Sequence, residues 1–203
     1  MLIKISIENF KSFDALTELT MITSSKIRDN NTANHRVKIK ETSILKNAVI
    51  YGANASGKSN LIESFRFIKL TLKYGLPMNC MQLFCKNKKE NEQRESSFEL
   101  QFSVGDSFYA YGFSVILSKR MICGEWLYEL HQNGSAKRIF ERNGNEKMTV
   151  DDVLKLSESE KQRMSTYIED FGGSSNTLFL TEMNRNKKYD ESSELYVFKK
   201  VYD

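Results

Sequence analysis

The chain has 203 residues, of which 40% are hydrophobic and 28% charged, with a formal net charge of +4. That composition fits a soluble globular chain of one or two domains. It excludes a membrane helix, because no apolar run approaches the roughly 20 residues needed, and the charge-interrupted start MLIKISIENF is too short for a signal peptide. Cys80, Cys85 and Cys123 form no C-x-x-C pair, and only His35 and His131 accompany them. A zinc site is therefore not expected, and reduced thiols in a cytoplasm are.

In chain order, Ile3, Ile5 and Ile7 alternate and predict a half-buried strand over 2–8. Asn9-Phe10-Lys11-Ser12-Phe13 reads as a loop, and Leu16, Leu19 and Met21 as a second strand. Residues 23–36 are polar and turn-rich, a surface loop. Ile44-Leu45 and then Ala48-Val49-Ile50-Tyr51 form an apolar run, expected as a strand buried on both faces. Leu61, Ile62, Phe65, Ile68 and Leu72 recur at helical spacing and predict a helix from Lys58 to Tyr74. Gly75 is expected as its left-handed C-cap, and Pro77 bars continuation.

Residues 79–96 are polar and charged, and read as a linker or mobile loop. Phe98, Leu100, Phe102 and Val104, then Tyr109, Tyr111, Phe113 and Val115, alternate with polar residues. Trp126, Tyr128 and Leu130, and then Ile139-Phe140, continue the pattern, with turns at Asn133-Gly134 and Asn143-Gly144. This is an antiparallel meander, with Trp126 expected in its core. Val150, Val153, Leu154, Met164, Tyr167 and Ile168 predict a helix from 150 to 167, followed by a flexible break at 172–176. Leu178-Phe179-Leu180 predicts a short buried strand, and a last helix starts near Glu194. The expected division is a nucleotide-binding core over 1–78, a charged loop over 79–97, the meander over 98–148 and a helical segment over 149–203.

Residues 52–59, Gly-Ala-Asn-Ala-Ser-Gly-Lys-Ser, match the phosphate-loop pattern G-x-x-x-x-G-K-[ST]. The predicted strand before it and helix after it are the context that the pattern requires. Gly52 and Gly57 let the backbone approach phosphates closely. The N–H groups from Asn54 to Asn60 are expected to form an anion nest around Ala53, Asn54, Ala55 and Ser56, reinforced by the helix dipole. Lys58 is the expected ligand of the β- and γ-phosphates, and the Ser59 hydroxyl of Mg²⁺. A lysine opening a helix is electrostatically misplaced unless an anion answers it. The implied ligand is a nucleoside triphosphate with Mg²⁺.

Glu8-Asn9-Phe10-Lys11-Ser12-Phe13, followed by Gly52-Ala53-Asn54-Ala55-Ser56-Gly57-Lys58-Ser59-Asn60, resembles the N-terminal lobe of ABC-type ATPase heads of the SMC and RecF group. More narrowly it resembles bacterial AAA-type ATPases with such heads, found in phage-defence and DNA-maintenance systems. The resemblance implies an α/β P-loop fold, a mixed sheet around the P-loop helix with an inserted antiparallel meander. It also implies ATP as ligand, Lys11 near the phosphates, the 23–36 loop near the base or ribose, and a dimer of two heads sandwiching two ATP molecules.

Such heads also need a signature motif, a Walker B run ending in Asp-Glu, and a switch histidine. Leu178-Phe179-Leu180-Thr181-Glu182 is the nearest Walker B run, with Thr181 where the metal-binding Asp belongs. Gly172-Gly173-Ser174 lies too close before it to be a signature. Both read as decoys, and 176–186 reads better as the approach to a Q-loop, with Glu182, Asn184 and Asn186 in place of Gln. Glu182 is the candidate hydrolytic carboxylate. The expectation is an incomplete head, the first lobe of a larger one, with the rest in a missing C-terminal lobe or on another polypeptide. A non-catalytic ATP-binding assembly partner and a compact P-loop kinase are the alternatives; a GTPase should carry N-K-x-D, and this sequence has no such run. Basic clusters at Lys86–Lys89 and Arg185–Lys188 make DNA a candidate partner, with solvated loops as the plainer reading.

Overall fold

The computed structural model describes residues 1–24, 34–144, 149–150, 154–185 and 187–203. Nine strands and four α-helices lie within them. A seven-stranded sheet runs in the order β2-β1-β5-β6-β7-β8-β9. Its strands are β1 (Leu2–Glu8), β2 (Thr17–Thr20), β5 (Ser96–Val104), β6 (Ser107–Ile116), β7 (Met121–Leu130), β8 (Ala136–Asn143) and β9 (Thr149–Val150). β3 (Arg36–Ile39) and β4 (Thr42–Leu45) form a separate hairpin. Every strand pairing among the described residues is antiparallel. The expected mixed sheet is replaced by one continuous antiparallel sheet. The meander is part of it, because β5 pairs directly with β1.

One face of this sheet carries the core. α1 (Lys58–Tyr74) lays Ser64, Phe67, Ile68 and Thr71 against it. Phe10, Phe67, Phe98 and Phe113 meet there, with Phe67 and Phe98 centroids 5.1 Å apart. Burying each such ring contributes roughly 1.5–3 kcal/mol. α3 (Phe179–Asn184) and α4 (Tyr196–Tyr202) cover the same face farther along, where Phe140 packs on Phe179 and Phe198 at 5.3 and 5.8 Å. α2 (Glu158–Phe171) adds Met164. Tyr109, Tyr111 and Phe113 form the expected inward stripe.

Several expectations are overturned. Ala48–Tyr51 forms no strand; Val49, Ile50 and Tyr51 are 72%, 46% and 88% exposed. A strand buried on both faces needs neighbours along its length, and β4, flanked by β3 and by the Ile22–Ile44 bridge, ends at Leu45 before reaching 48–51. Leu178-Phe179-Leu180 opens α3 instead of forming a strand. The helix expected from 150 begins only at Glu158, where Ser157 and Glu160 form a capping box, while Thr149–Val150 pairs with β8; Val153 lies outside the described residues. Trp126 lies on the sheet's opposite face, opposite Gly112, and the inward residue is Leu127. Gly75 caps α1 at φ 81°, ψ −178°, an extended glycine conformation and not the left-handed helical one. The linker expected at 79–96 is packed: it folds as two 3₁₀ turns, Met78–Gln82 and Lys89–Glu92, and buries Cys80, Cys85 and Asn91.

Candidate nucleotide-binding site

The loop between Tyr51 and α1 is open to solvent. Ala55 and Gly57 take positive φ, at 64° and 92°. At Gly57 a side chain would be strained, and its Cβ would meet Ser12 Oγ at 2.9 Å. At Gly52 a Cβ would lie 2.7 Å from Ser56 Oγ. Gly57 is thus required by its positive φ and backed by Ser12 of the 9–13 turn, while Gly52 lies in close contact with Ser56 within the loop.

Lys58 turns back into this loop. Its ammonium donates to Gly52 O and Ala53 O, each at 2.7 Å, and to Ser56 Oγ at 3.3 Å. Among the described residues, no protein acceptor takes the N–H groups of Asn54, Ala55, Gly57, Lys58 or Ser59, whereas Asn60 N donates to Gly57 O. A cation and a set of outward amides therefore share the positive end of a 17-residue helix. This is the local chemistry of an anion site, and triphosphate oxygens match it.

The turn at residues 9–13 reaches the same loop. Asn60 Nδ2 donates to Ser12 Oγ at 2.9 Å. Lys11 has φ 50°, and its ammonium stands 3.8 Å from Glu63 on the second turn of α1. The sequence reading brought Lys11 here through resemblance, and missed that Ser12 and Asn60 bond to each other. The available signal was two polar side chains following apolar or glycine-rich runs in separate motifs.

Glu182 does not join this site. It is 8% exposed and pairs with Arg185 at 3.0 Å. The preceding residue, Thr181, donates to Leu72 O at 2.6 Å. Leu72 stands fourteen residues beyond Lys58, about 21 Å along α1 at 1.5 Å per residue. Asn184 likewise bonds Leu180 O and Phe198 O, and the buried residues 178–183 pack as interior scaffold; Asn186 lies outside the described residues. Within the two basic clusters, Lys88 pairs with Asp14 at 3.0 Å while its side chain stays largely exposed, and Lys187 lies over the Tyr167 and Phe171 rings.

A glycine-framed loop running into a helix whose first residue is an inward lysine defines a P-loop nucleotide-binding protein. A model of the family described as "AAA domain, putative AbiEii toxin, Type IV TA system" matches residues 48–152, just over half of the chain, which therefore belongs to that family. Membership carries a P-loop ATP-binding and ATPase function in general terms. Comparison with curated proteins gave no match. No described helix is long and apolar enough to cross a membrane.

Proposed function

We propose that this chain is the nucleotide-binding lobe of an ABC-type, SMC/RecF-like head that binds ATP with Mg²⁺ and hydrolyses it once a second lobe or a second head completes the site. The observation that carries this reading is Lys58, held by two loop carbonyls beside N–H groups without a protein acceptor. The β- and γ-phosphates of ATP would exchange for those carbonyls at the ammonium. The amides of Asn54, Ala55, Gly57 and Ser59 would cradle the phosphate oxygens, together with the backbone of Gly52, Ala53, Ser56 and Asn60. The Ser59 hydroxyl would hold Mg²⁺, which when bound neutralises charge on the β- and γ-oxygens. Lys11 joins as a second cation in this reading, because its neighbour Ser12 lies against Gly57.

Hydrolysis also needs a group that orients water, and Glu182 is too remote to be that group. The exposed run Val49-Ile50-Tyr51 supports an outside contribution. An exposed apolar segment without a strand neighbour is suited to packing against one from another lobe. A cytoplasmic setting and defence- or DNA-linked work are our reading of the sequence resemblance and of the family description, which names a toxin of a toxin–antitoxin system.

The test is Mg·ATP binding by the folded chain against Lys58→Ala. Affinity falling at least tenfold, about 1.4 kcal/mol, is expected, with no phosphate release by the chain alone. Equal binding by both forms would overturn the nucleotide-site reading. Steady-state turnover by the isolated chain would overturn the incomplete-head reading.

A further inference from the structure

We infer that residues 83–96, although outside the P-loop, set its geometry through the turn at 9–14, with Asn9 and Ser12 as positioning residues for nucleotide binding. The inference rests on the nucleotide-site reading above.

Asn9 is fully buried, and its backbone takes φ 50°. Its side chain is bonded throughout by the 83–96 segment. Nδ2 donates to Asn91 O at 2.8 Å and Arg94 O at 2.9 Å, and Oδ1 accepts from Cys85 N at 3.2 Å. The Asn9 carbonyl accepts from Ser96 Oγ at 2.5 Å. Lys11 N, two residues on, donates to Leu83 O at 2.7 Å. The shoulders of the turn are held by the same segment: Arg94 pairs with Glu8 and Asp14, each at 3.1 Å, and Asn91 Nδ2 donates to Asp14 at 2.9 Å. These bonds hold Asn9 and Lys11 in the left-handed region, which non-glycine residues seldom adopt unaided.

The tip of the turn is what meets the phosphate loop. Ser12 Oγ accepts from Asn60 and sits where a Gly57 side chain would be. Ser12 therefore buttresses the residue whose positive φ turns the loop into α1. Displacing the tip would free Gly57 to move and would disorder the amides that follow it. Arrangement of such amides before the ligand arrives is where preorganised affinity comes from. The same turn carries Lys11, so the clamp also fixes the starting point of that ammonium.

The experiment is titration of the intact chain with a fluorescent ATP analogue and Mg²⁺, well below the unfolding temperature of each variant. Wild type, Ser12→Ala, Ser12→Thr, Asn9→Ala and the Asn9→Ala/Ser12→Ala double variant are compared, with melting temperatures recorded. Asn9→Ala is expected to weaken binding roughly three- to tenfold, Ser12→Ala by a similar factor, and the double variant by little more than either. Ser12→Thr keeps the hydroxyl and should retain most of the affinity. Should Asn9→Ala fail to fold, Arg94→Gln tests the same clamp from a half-exposed position and should also weaken binding. Unchanged affinity in folded clamp variants with lowered melting temperatures would overturn the proposal, leaving a purely structural segment. Fully additive losses would also overturn it. No binding by wild type would instead remove the nucleotide-site reading on which it rests.

Discussion

Glu125 and Lys58 are both charged side chains at the start of a helix, and they meet that helix end in opposite ways. Glu125 is fully buried on the inward face of β7. Its two oxygens accept from Phe179 N at 2.6 Å and Leu180 N at 3.0 Å, the leading amides of α3. Tyr111 OH donates to it at 2.8 Å, and Arg142 pairs with it at 2.9 Å. Arg142 in turn donates to Ser174 O and Thr177 O. A carboxylate is the correct sign for a helix N-terminus, and this one has all its partners in the protein. Lys58 has the wrong sign for α1, faces a solvent-open loop, and is met only by neutral carbonyls and a hydroxyl. The first arrangement builds structure; the second is left to answer an anion.

The comparison can be broken first at Glu125. Glu125→Ala strands the Arg142 guanidinium in the interior and uncaps α3, which should cost about 3–5 kcal/mol. Urea denaturation measures it, and a loss under about 1 kcal/mol would mean the network is not a structural keystone. Tyr111 gives a smaller effect with a pH signature. Burial first, and then the negative Glu125, push its phenol well above its ordinary value of 10.0. A raised acid pKa stabilises the fold below the unfolded value and loses that stability as pH rises past it. Stability should therefore start to fall near pH 10 in wild type through this group. Tyr111→Phe should lose about 1–2 kcal/mol at neutral pH and show a shallower alkaline decline. Smallest of all, Glu182→Gln removes only the pair with Arg185. It should leave Mg·ATP affinity unchanged; a clear loss of affinity would bring α3 back into the site.

The P-loop and α1 were legible because their determinants are local: two glycines, a lysine, and an apolar stripe ending before Gly75 and Pro77. What failed depended on neighbours distant in sequence. The Leu178-Phe179-Leu180 run has no helical or strand preference that a short window can resolve; Glu125, some fifty residues earlier, binds its amides and makes it a helix. Trp126 and Leu127 are both apolar, so alternation could not say which faces inward. Gly112 on the adjoining strand leaves the space that decides it. Residues 79–96 look like linker because they are polar, but their main-chain groups hold the Asn9 side chain and their polar side chains hold Asp14 and the Asn9 carbonyl. Ser157 and Glu160 did carry a readable capping box, which would have moved the start of α2 to its observed position.

Trp126 is the chain's sole tryptophan. Its indole N–H donates to Glu99 at 3.0 Å on the sheet face away from α1. Its emission is thus a built-in optical reporter on the β5–β7 backing of the sheet, separated from the phosphate loop by the sheet and the core. Intrinsic fluorescence should follow denaturation faithfully and stay nearly silent during nucleotide titration. An indole introduced at Tyr51, which is 88% exposed beside Gly52, would give the optical signal that the native chain places elsewhere.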